Sequence, residues 1–547
     1  MLIHQLTGEE ALAQGAWEAG VCVATGYPGS PSTRFLERLA EISRIGDVYC
    51  EWSANEKVAF EMALGASMAG KRASVSMKSV GLNVALDPLM VANLGGVSGG
   101  LVIILGDDPG AWGSQNEQDG RLLVRAAEVP LLEFSSPQEA YDMVQYAFSL
   151  SEKFELPVFV RETRSSASEK GAVYVKEARV QTLQKHFLEL EPWKCFPENP
   201  PEKHRKLHAK IQKITNEFNQ CPFNHVLLKS SKGIVAAGFM AARAGRLLSG
   251  KGGEQLSFFK LGTIYPPPEA SLIKFLSQME EIMVAEELQP LVEGYLRSLA
   301  HLHNLKTHIY GKETGHLPKY GELFESHLRR SVEESLKVEI GLPEPSNPER
   351  DEKNKVLYKS LPPECPFFKA FEAFSIVISN NTKMRPIFVG DDGCLTRLRN
   401  APFSLLGCKF NMGSSIGIAA GLYWAGEKRK MVVLVGDSSF FHTALPAYLD
   451  AVATGVRMMV VVLDNRCTAM TGCQANPGTD WALQKRAQKS ISISSILQSP
   501  GIPLFREVNA FGDPKDMAAA FQECFQSEDF AVLLVTGPCP NLKEKVC

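Results

Sequence analysis

The sequence has no Cys-x-x-Cys pair among its twelve cysteines, no excess of basic residues and no long uninterrupted apolar run. The first absence removes the strongest sequence sign of a zinc site or a self-contained ferredoxin-type cluster. With 58 Lys and Arg against 61 Asp and Glu, the net charge of −3 offers no positive field to nucleic acid or an anionic membrane. The longest apolar stretch, 91–105, contains four glycines among its fifteen residues, so it is too short and too glycine-rich to span a membrane.

The amino terminus gives no sign of an export signal, because residues 1–5 contain no basic segment that leads into an apolar run. Without export, the cysteines are expected to be reduced, most of them buried as small hydrophobic side chains. We therefore expect a soluble, cytoplasmic protein that binds neither nucleic acid nor a membrane. At ~100–200 residues per domain, 547 residues allow three or four domains.

Apolar, strand-like runs alternate with helical stretches in three blocks, which is typical of α/β domains with parallel, doubly wound sheets. The blocks are predicted at residues 1–175, 225–330 and 364–547, and charged, proline-containing linkers are predicted at 176–224 and 331–363. The predicted strands are 21–25, 73–77, 101–105, 157–160, 233–237, 258–261, 281–287, 386–389, 431–435, 458–463 and 531–535.

The most informative segment is 431–478, where two predicted strands each end in polar residues. The first strand ends at Gly436-Asp437, and Asn465 follows the second strand, 28 residues after Asp437. That spacing is one β-α-β step, so both side chains are expected at the carboxyl ends of neighbouring parallel strands, where open α/β sheets bind ligands. Gly436 would let the chain approach a phosphate closely.

Hard oxygen ligands are concentrated at this edge. Asp437, the amide oxygen of Asn465 and the backbone carbonyl of Cys467 form a set that suits Mg²⁺ bound to a diphosphate. Amides near Ser438 and Ser439 can donate to the phosphate. This is the pattern of a thiamine-diphosphate site; the alternative is that Asp437 merely caps a helix.

Thiamine diphosphate also needs a carboxyl group that pairs with N1′ of its aminopyrimidine ring, because that hydrogen bond favours the tautomer that removes the C2 proton. Glu56 is the candidate, in the first turn of a predicted helix whose apolar run begins at Val58. An acidic residue at a helix N-terminus also occurs for purely structural reasons. This segment alone leaves the two interpretations equally open.

Several motifs occur in one order along almost the whole chain and resemble the α subunit of indolepyruvate ferredoxin oxidoreductase. They are GYPGSPST (26–33), NEKVA (55–59), MKSVGLN (77–83), DDPG (107–110), SQNEQD (114–119), EEL (286–288) and the segment 436–478. The resemblance implies a pyrimidine-binding domain (1–175), a transketolase C-terminal-like domain (225–330) and a diphosphate-binding domain (364–547).

By this resemblance Glu56 pairs with N1′, while Asp437 and Asn465 hold Mg²⁺. The matching motifs assign further cofactor contacts to Tyr27, Pro28, Ser30, Asn83, Asn411, Gly413, Ser414, Met470 and Thr471. The resemblance also implies oxidative decarboxylation of an aryl 2-oxo acid with CoA, electron transfer to ferredoxin through iron–sulfur clusters, and a smaller β subunit. Because such cofactor sites commonly form across a subunit contact, we expect a homodimer or a heterotetramer.

The cysteines depart from the family pattern. The family continues into a ferredoxin-like domain with repeated Cys-x-x-Cys pairs, whereas this sequence ends shortly after Cys539. A Cys-Pro-Gly-Cys-Pro-His element is reduced to Cys365 followed by aromatic residues. Cys365, Cys394 and Cys539 match family cysteines, but a [4Fe–4S] cluster normally takes four. We therefore predict that an intact cluster is absent unless Cys408 or Cys547 supplies the fourth thiol.

The histidines also depart from the family pattern. Only two of the eleven lie in the first and third blocks, one of them His442. Family histidines expected to hold the substrate carboxylate or move protons are replaced by Ser79, by Cys473 and by the segment 111–113. His442 and Glu117 remain as candidate acid–base groups, although His442 is equally compatible with a structural role beside the diphosphate.

Three functions therefore remain open, in order of preference. The first is a divergent 2-oxoacid:ferredoxin-type oxidoreductase subunit whose electrons leave through a partner chain. The second is a non-redox thiamine-diphosphate lyase or carboligase, and the third is a catalytically weak cofactor-binding subunit. Trp112, Phe440 and Phe441 can line a pocket for a bulky 2-oxo acid, or they can simply belong to the core.

Overall fold

The computed structural model describes residues 2–43, 46–176, 179–180, 199–342, 359–381 and 385–542. The chain divides into two units. Unit 1 comprises residues 1–51 and 56–355, and unit 2 comprises residues 52–55 and 356–547.

Unit 1 alternates strands and helices along most of its length. Its elements are β1 (Leu2–Thr7), α1 (Gly8–Glu18), β2 (Val23–Gly26), α2 (Thr33–Ile42), β3 (Tyr49–Trp52), α3 (Glu56–Met68), β4 (Ala73–Lys78), α4 (Ser79–Gly95), β5 (Leu101–Asp107), α5 (Gly120–Ala126), β6 (Leu131–Glu133), α6 (Pro137–Phe154), β7 (Val158–Thr163), α7 (Arg164–Ser168), β8 (Lys170–Val175), α8 (Pro200–Phe218), β9 (His225–Leu227), β10 (Lys232–Ala237), α9 (Phe239–Leu248), β11 (Ser257–Leu261), β12 (Thr263–Tyr265), α10 (Glu269–Leu276), β13 (Glu281–Ala285), α11 (Leu291–Leu302), β14 (His308–Tyr310) and α12 (Glu325–Leu336).

Two larger sheets and one small one organise unit 1. The seven-stranded sheet has the order β12-β6-β7-β5-β4-β2-β3, and its neighbours from β6 to β2 are parallel. The five-stranded sheet has the order β14-β13-β10-β11-β9, in which only β9 is antiparallel to its neighbour. An antiparallel pair, β1 and β8, forms the small sheet. Buried apolar side chains of both larger sheets belong to one continuous core.

Unit 2 is built on a single sheet. Its elements are α13 (Pro366–Asn381), β15 (Ile387–Gly390), β16 (Leu406–Lys409), α14 (Ser415–Trp424), β17 (Met431–Gly436), α15 (Asp437–Ser439), α16 (Leu445–Ala453), β18 (Met459–Asp464), α17 (Ile493–Gln498), β19 (Leu504–Asn509), α18 (Pro514–Gln526) and β20 (Ala531–Thr536).

The six strands of unit 2 are all parallel, in the order β16-β15-β17-β18-β20-β19. Alternate residues of β17 and β18 belong to two different apolar cores, one on each face of the sheet. Burial on both faces explains why these strands read as unbroken apolar runs in the sequence. Because the strands are parallel, their carboxyl ends lie along one edge of the sheet, and the strand order reverses between β15 and β17.

The α/β class with mostly parallel sheets is confirmed, and every predicted strand coincides with an observed one to within a few residues. The strands that the sequence did not reveal are short or lie at sheet edges, like β12, whose three residues pair antiparallel with β6. Such segments have too few residues to establish an apolar period.

Both predicted linkers are partly helical. Residues 200–218 form α8, which buries Leu207, Ile214 and Phe218 along one face although many of its other residues are charged. The second linker, predicted at 331–363, begins inside α12, which ends at Leu336. Residues 177–178, 181–198 and 343–358 of the two predicted linkers lie outside the described residues, and the domain boundaries stay predictions. Within the described ranges, no helix combines the length and the apolar composition needed to cross a bilayer.

Candidate functional site

The polar residues that end β17 and β18 lie at the same edge of the unit 2 sheet. The two strands are parallel neighbours, with Gly436 in register with Leu463. Helix α15 begins directly at Asp437, which is only 2% exposed. The predicted convergence of Asp437 with the end of β18 is therefore observed.

Asp437 is a buried carboxyl group held by hydrogen bonds. The Asn476 side chain donates through Nδ2 to Oδ2 of Asp437 over 2.9 Å. The backbone amides of Ser438 and Cys467 also interact with it. Burial, reinforced by the neighbouring Asp464 carboxylate, raises the pKa of Asp437 to about 8. Among the residues that the structure describes, no lysine or arginine forms an ion pair with Asp437, so a bound cation would supply the positive charge that favours its ionised form.

The loop after β18 closes over this carboxyl group. The backbone amide of Cys467 donates to Oδ1 of Asn465 over 3.1 Å. The hydroxyls of Ser438 and Thr468 are hydrogen-bonded over 2.7 Å, which ties the loop to the start of α15. The Cys467 amide thus interacts with both Asp437 and Asn465, and the carboxylate, amide and carbonyl oxygens of this segment are of the kind that suits Mg²⁺, which stays a prediction.

The segment 411–415 packs against the helical turn that follows α15. Gly413 has φ of +77°, and a Cβ there would collide with Thr443. The Thr443 hydroxyl donates to the Met412 carbonyl over 2.8 Å. The Ser414 hydroxyl donates to the Asn411 carbonyl over 2.6 Å. Glycine is required here because both the backbone conformation and the close approach exclude a side chain.

His442 lies on the same turn and is buried. Its Nδ1 is 3.2 Å from the Thr443 hydroxyl, and its carbonyl accepts a hydrogen bond of 2.8 Å from Nδ2 of Asn55. These contacts support the structural alternative for His442. Nearby Thr471 donates through its hydroxyl to Oε1 of Gln474 over 2.6 Å, whereas the Met470 side chain is exposed.

Glu56 opens α3 in unit 1 and is 5% exposed. Gly81, in the first turn of α4, faces it so closely that a Cβ at this position would collide with the Glu56 carboxyl group. Further along α4, the side-chain amides of Asn83 and Gln118 pair reciprocally over 3.0 and 2.8 Å. Gln118 also donates to the Ser79 carbonyl over 3.0 Å. A glycine that makes room for a buried carboxyl group fits the N1′ half of a cofactor site.

The segment 26–33 forms a tight turn between β2 and α2. The backbone amide of Tyr27 donates to the Ser76 carbonyl over 3.3 Å, and Tyr27 and Pro28 are buried while Ser30 is exposed. Ser32 adopts a left-handed conformation with φ of 103°, and its amide donates to Glu9 over 2.8 Å. The turn is therefore held by contacts within unit 1.

Two predicted pocket residues have structural partners. Trp112 donates through Nε1 to Glu322 over 2.9 Å, and Phe440 is fully buried in the core of unit 2. Glu117, a predicted acid–base candidate, is exposed and accepts hydrogen bonds from the backbone amides of Gly110 and Gly321. Each of these three side chains therefore has a structural role, through hydrogen bonds or through packing in the core.

Two cysteines that the prediction did not select as thiols lie beside one that it did. The sulfurs of Cys467, Cys473 and Cys539 lie within 4.8 Å of one another. Burial raises the pKa of the Cys394 thiol to about 11, and the nearby Cys365 and Cys539 add to this shift. Cys539 itself has a pKa lowered to about 3, because the thiols of Cys467 and Cys473 donate hydrogen bonds to its thiolate.

Of the two predicted substitutes for a missing cluster ligand, only Cys408 lies among the described residues, and it is not part of this group. Cys408 lies on the edge strand β16, and Cys547 lies outside the described residues. Sequence reasoning missed Cys467 and Cys473 as thiols, and it missed Asn476. The signal available was the replacement of a family histidine by Cys473, six residues after Cys467.

Two family models match this chain. Residues 14–217 match the model for "Pyruvate flavodoxin/ferredoxin oxidoreductase, thiamine diP-bdg", and residues 392–535 match the "Thiamine pyrophosphate enzyme, C-terminal TPP binding domain". The indolepyruvate oxidoreductase subunit IorA of Pyrococcus horikoshii is 36% identical over 98% of this chain and 85% of its own length. The same subunit of Thermococcus kodakarensis is 37% identical over 98% of this chain and 86% of its own.

The chain belongs to the thiamine-diphosphate-dependent 2-oxoacid oxidoreductase family. The first matched region of this family member contains Glu56, and the second contains Asp437 and Asn465. A solved 2-oxoglutarate:ferredoxin oxidoreductase from Magnetococcus marinus is 15% identical with a TM-score of 0.45, over 56% of this chain and 62% of that chain. That likeness is too weak to add to the assignment.

Proposed function

We propose that this chain is the thiamine-diphosphate-binding subunit of an oxidoreductase that oxidatively decarboxylates an aryl or otherwise bulky 2-oxo acid. The observation that carries the proposal is the buried carboxyl group of Asp437, which lacks an ion-pair partner among the described residues and lies beside Asn465 and the Cys467 backbone. A donor set of this kind is expensive to bury unless a cation completes it.

The two ends of the cofactor would be held by different residues of this chain. In unit 2, Asp437, Asn465 and the Cys467 carbonyl would hold Mg²⁺, while Gly436 and the amides around Ser438 and Ser439 would receive the diphosphate. Metal binding requires Asp437 to be ionised, so it would displace the proton that burial favours.

In unit 1, Glu56 would hold the aminopyrimidine through N1′. Its burial beside Gly81 keeps water away from the carboxyl group and directs it, as a general acid–base catalyst requires. Thiamine diphosphate, when bound, supplies the electron sink that allows a 2-oxo acid to lose CO₂. The contribution of this chain is to position that group and to exchange one proton at Glu56.

The substrate class rests on small residues where the family has histidines. Ser79 is buried at the start of α4, and its carbonyl is fixed by Gln118. Gly113 leaves space beside Arg164, since a Cβ there would meet only Nη1 of that residue and Asp108 at 3.4–3.8 Å. Both replacements enlarge the space available to a side chain of the substrate, which favours a bulky 2-oxo acid over pyruvate.

Electrons and products would leave through partners. We propose CoA as the acyl acceptor and a smaller β-type subunit or a separate ferredoxin as the electron acceptor, in a homodimeric or heterotetrameric assembly. A non-redox lyase or carboligase is the second candidate, because the aligned cysteines number three and the thiols at Cys467 and Cys473 cluster with only one of them.

The deciding experiment measures CO₂ release by the anaerobically purified chain with thiamine diphosphate and Mg²⁺. Indolepyruvate is compared with pyruvate, with and without CoA and a viologen acceptor. Release that depends on the acceptor supports the oxidoreductase, and release without any acceptor supports the lyase. A preference for pyruvate would contradict the proposed substrate class, and absence of cofactor binding at millimolar concentration would contradict the proposal as a whole.

A further inference from the structure

We propose that Cys467, Cys473 and Cys539 form a thiolate site for a single zinc-type cation. Their three sulfurs lie within 4.8 Å of one another, and Cys467 and Cys473 are almost completely buried. The inference does not depend on the proposed function, because it concerns the sulfurs rather than the oxygens of the same loop.

The fold brings these thiols together from two chain segments. Cys467 and Cys473 lie on a hairpin closed by the hydrogen bond of 2.8 Å from the Thr468 amide to the Gln474 carbonyl. Cys539 follows β20, which is the parallel neighbour of β18. The amide of Cys539 donates to the Asn465 carbonyl over 3.0 Å, so both segments are anchored independently of the sulfurs.

The spacing of the sulfurs suits one ion. Zinc–thiolate bonds are about 2.3 Å long, and a tetrahedral angle between two of them places the sulfurs about 3.8 Å apart. A [4Fe–4S] cluster attaches each thiolate to a different iron, which holds its ligands further apart than a single ion does. Three thiols that approach within 4.8 Å therefore match three corners of a tetrahedron around one cation.

A fourth thiol, that of Cys394, lies near this group. Cys394 is near enough to interact electrostatically with both Cys473 and Cys539, and it is partly buried. Its sulfur is not among those that lie within 4.8 Å of one another, so it would have to move closer to complete a Cys₄ set, one of the usual arrangements of structural zinc. With Cys394 or a solvent molecule in the fourth position, the ion would fasten the hairpin that carries Cys467 to the segment after β20.

The first test uses the full-length wild-type chain, freed of metal and then titrated with Zn²⁺ and separately with Co²⁺ under reducing conditions. We expect one tightly bound Zn²⁺ per chain. We also expect Co²⁺ to give the ligand-field spectrum of a tetrahedral site together with thiolate charge-transfer bands. Bound Co²⁺ without such bands would overturn the proposal, and so would failure to bind either metal.

The second test compares single serine variants. Cys467→Ser, Cys473→Ser and Cys539→Ser should each weaken Zn²⁺ binding by more than the roughly 10–100-fold that loss of a residue supporting a ligand costs. Cys408→Ser and Cys524→Ser, which alter cysteines elsewhere in unit 2, should bind Zn²⁺ like the wild type. Circular dichroism checks that each variant is folded, and the wild-type cobalt spectrum remains decisive if one is not.

Several results would contradict a mononuclear site. Iron and acid-labile sulfide in stoichiometric amounts would indicate a cluster, and a disulfide between two of the three cysteines under reducing conditions would remove the ligands. Zinc binding unchanged in all three serine variants would place the metal elsewhere. None of these readouts uses thiamine diphosphate or turnover, so they stay separate from the test of the proposed function.

Discussion

Two regions of the molecule bury acidic side chains in opposite ways. In unit 1, Arg121 contacts Asp119 over 2.7 Å and Glu286 over 2.9 Å, and Arg161 contacts Asp107 over 2.5 Å and Glu133 over 2.8 Å. We call these six residues the arginine network. At the sheet edge of unit 2, Asp437 is buried without any such partner among the described residues.

This difference distinguishes acids that are buried with a cationic partner from an acid that is buried at a candidate ligand site. Both arginines of the network are almost fully buried and ion-paired, although burial still raises the pKa of Asp107 to about 6 and the pKa of Glu286 above its ordinary value. Burial disfavours the ionised form of Asp119, yet Arg121 outweighs it and the pKa of Asp119 falls below its ordinary value. At Asp437 burial prevails, and the pKa rises to about 8. A buried acid that the fold does not neutralise is the stronger indication of a ligand site.

The largest expected effect comes from breaking the arginine network. Arg121→Met would leave Asp119 and Glu286 buried without their cation, which we expect to lower the free energy of unfolding by about 3–5 kcal/mol. Chemical denaturation measures the loss. The control Arg506→Met removes a surface ion pair with Glu523 and should leave the midpoint unchanged. An Arg121→Met variant as stable as the wild type would show that the network contributes little.

At the sheet edge of unit 2, we expect a substitution to reduce ligand affinity without reducing stability. Asp437→Asn removes the charged metal ligand, so the affinity for Mg²⁺ with thiamine diphosphate should fall by ~100-fold, or about 2.7 kcal/mol. The ligand-free protein should keep or gain stability, because the variant no longer buries an ionisable group. Calorimetric titration and thermal unfolding check the two parts. Asp450→Asn, an exposed change on α16, is the control; equal cofactor affinity in both variants would refute the role of Asp437.

A smaller effect should appear in the pH dependence of stability. Burial raises the pKa of Asp391 from 3.8 to about 7, although its Oδ1 accepts the Ser415 amide over 3.1 Å. Between about pH 4 and 7 the folded chain then holds one proton more than the unfolded chain. The contribution of this group to stability is therefore lost as pH rises through that window, by at most about 1.4 kcal/mol per pH unit.

Asp391→Asn tests this dependence, because its amide resembles the protonated carboxyl group. We expect the variant to lose less stability than the wild type between pH 4 and 7, as measured by denaturation at several pH values. Other buried acids contribute to the wild-type slope, so the comparison is made between the two proteins at each pH. Parallel curves would show that Asp391 is ionised in the folded chain.

The smallest effect on affinity is expected at Glu56. Glu56→Gln keeps the size of the side chain and leaves the metal ligands of unit 2 intact, so binding of Mg²⁺ and thiamine diphosphate should change by less than roughly 10-fold. Exchange of the C2 proton of the bound cofactor, followed by NMR after transfer to D₂O, should nevertheless be abolished. Glu61→Gln, an exposed change on the same helix, should exchange normally. Unchanged exchange in Glu56→Gln would rule out the N1′ assignment.

The sequence predicted the central strands and the Mg²⁺ donor set for one physical reason. Strands buried on both faces must be continuously apolar, so β17 and β18 were recognisable and their ends placed Asp437 and Asn465 together. Asn476 could not be found in this way. It lies in a loop after the hairpin, and only the folded chain shows that its amide donates to Asp437.

The cysteines show the same limit of prediction from sequence. Matching by motif selected Cys365, Cys394 and Cys539, which are far apart in sequence but recognisable by their neighbours. The folded chain also places Cys539 within 4.8 Å of Cys467 and Cys473. Spacing along the chain cannot reveal that proximity, because it depends on the pairing of β18 with β20.

The sequence by itself determined the α/β class, the order of the central strands along the chain and the side chains that suit a magnesium diphosphate, since each depends on local apolar period and turn composition. Only the tertiary structure shows which buried acids form ion pairs with an arginine, that Gly81 leaves space for the Glu56 carboxyl group, and which thiols lie close together. Those properties arise from contacts between residues distant in sequence, and the energy of a buried charge depends on its neighbours in space rather than along the chain.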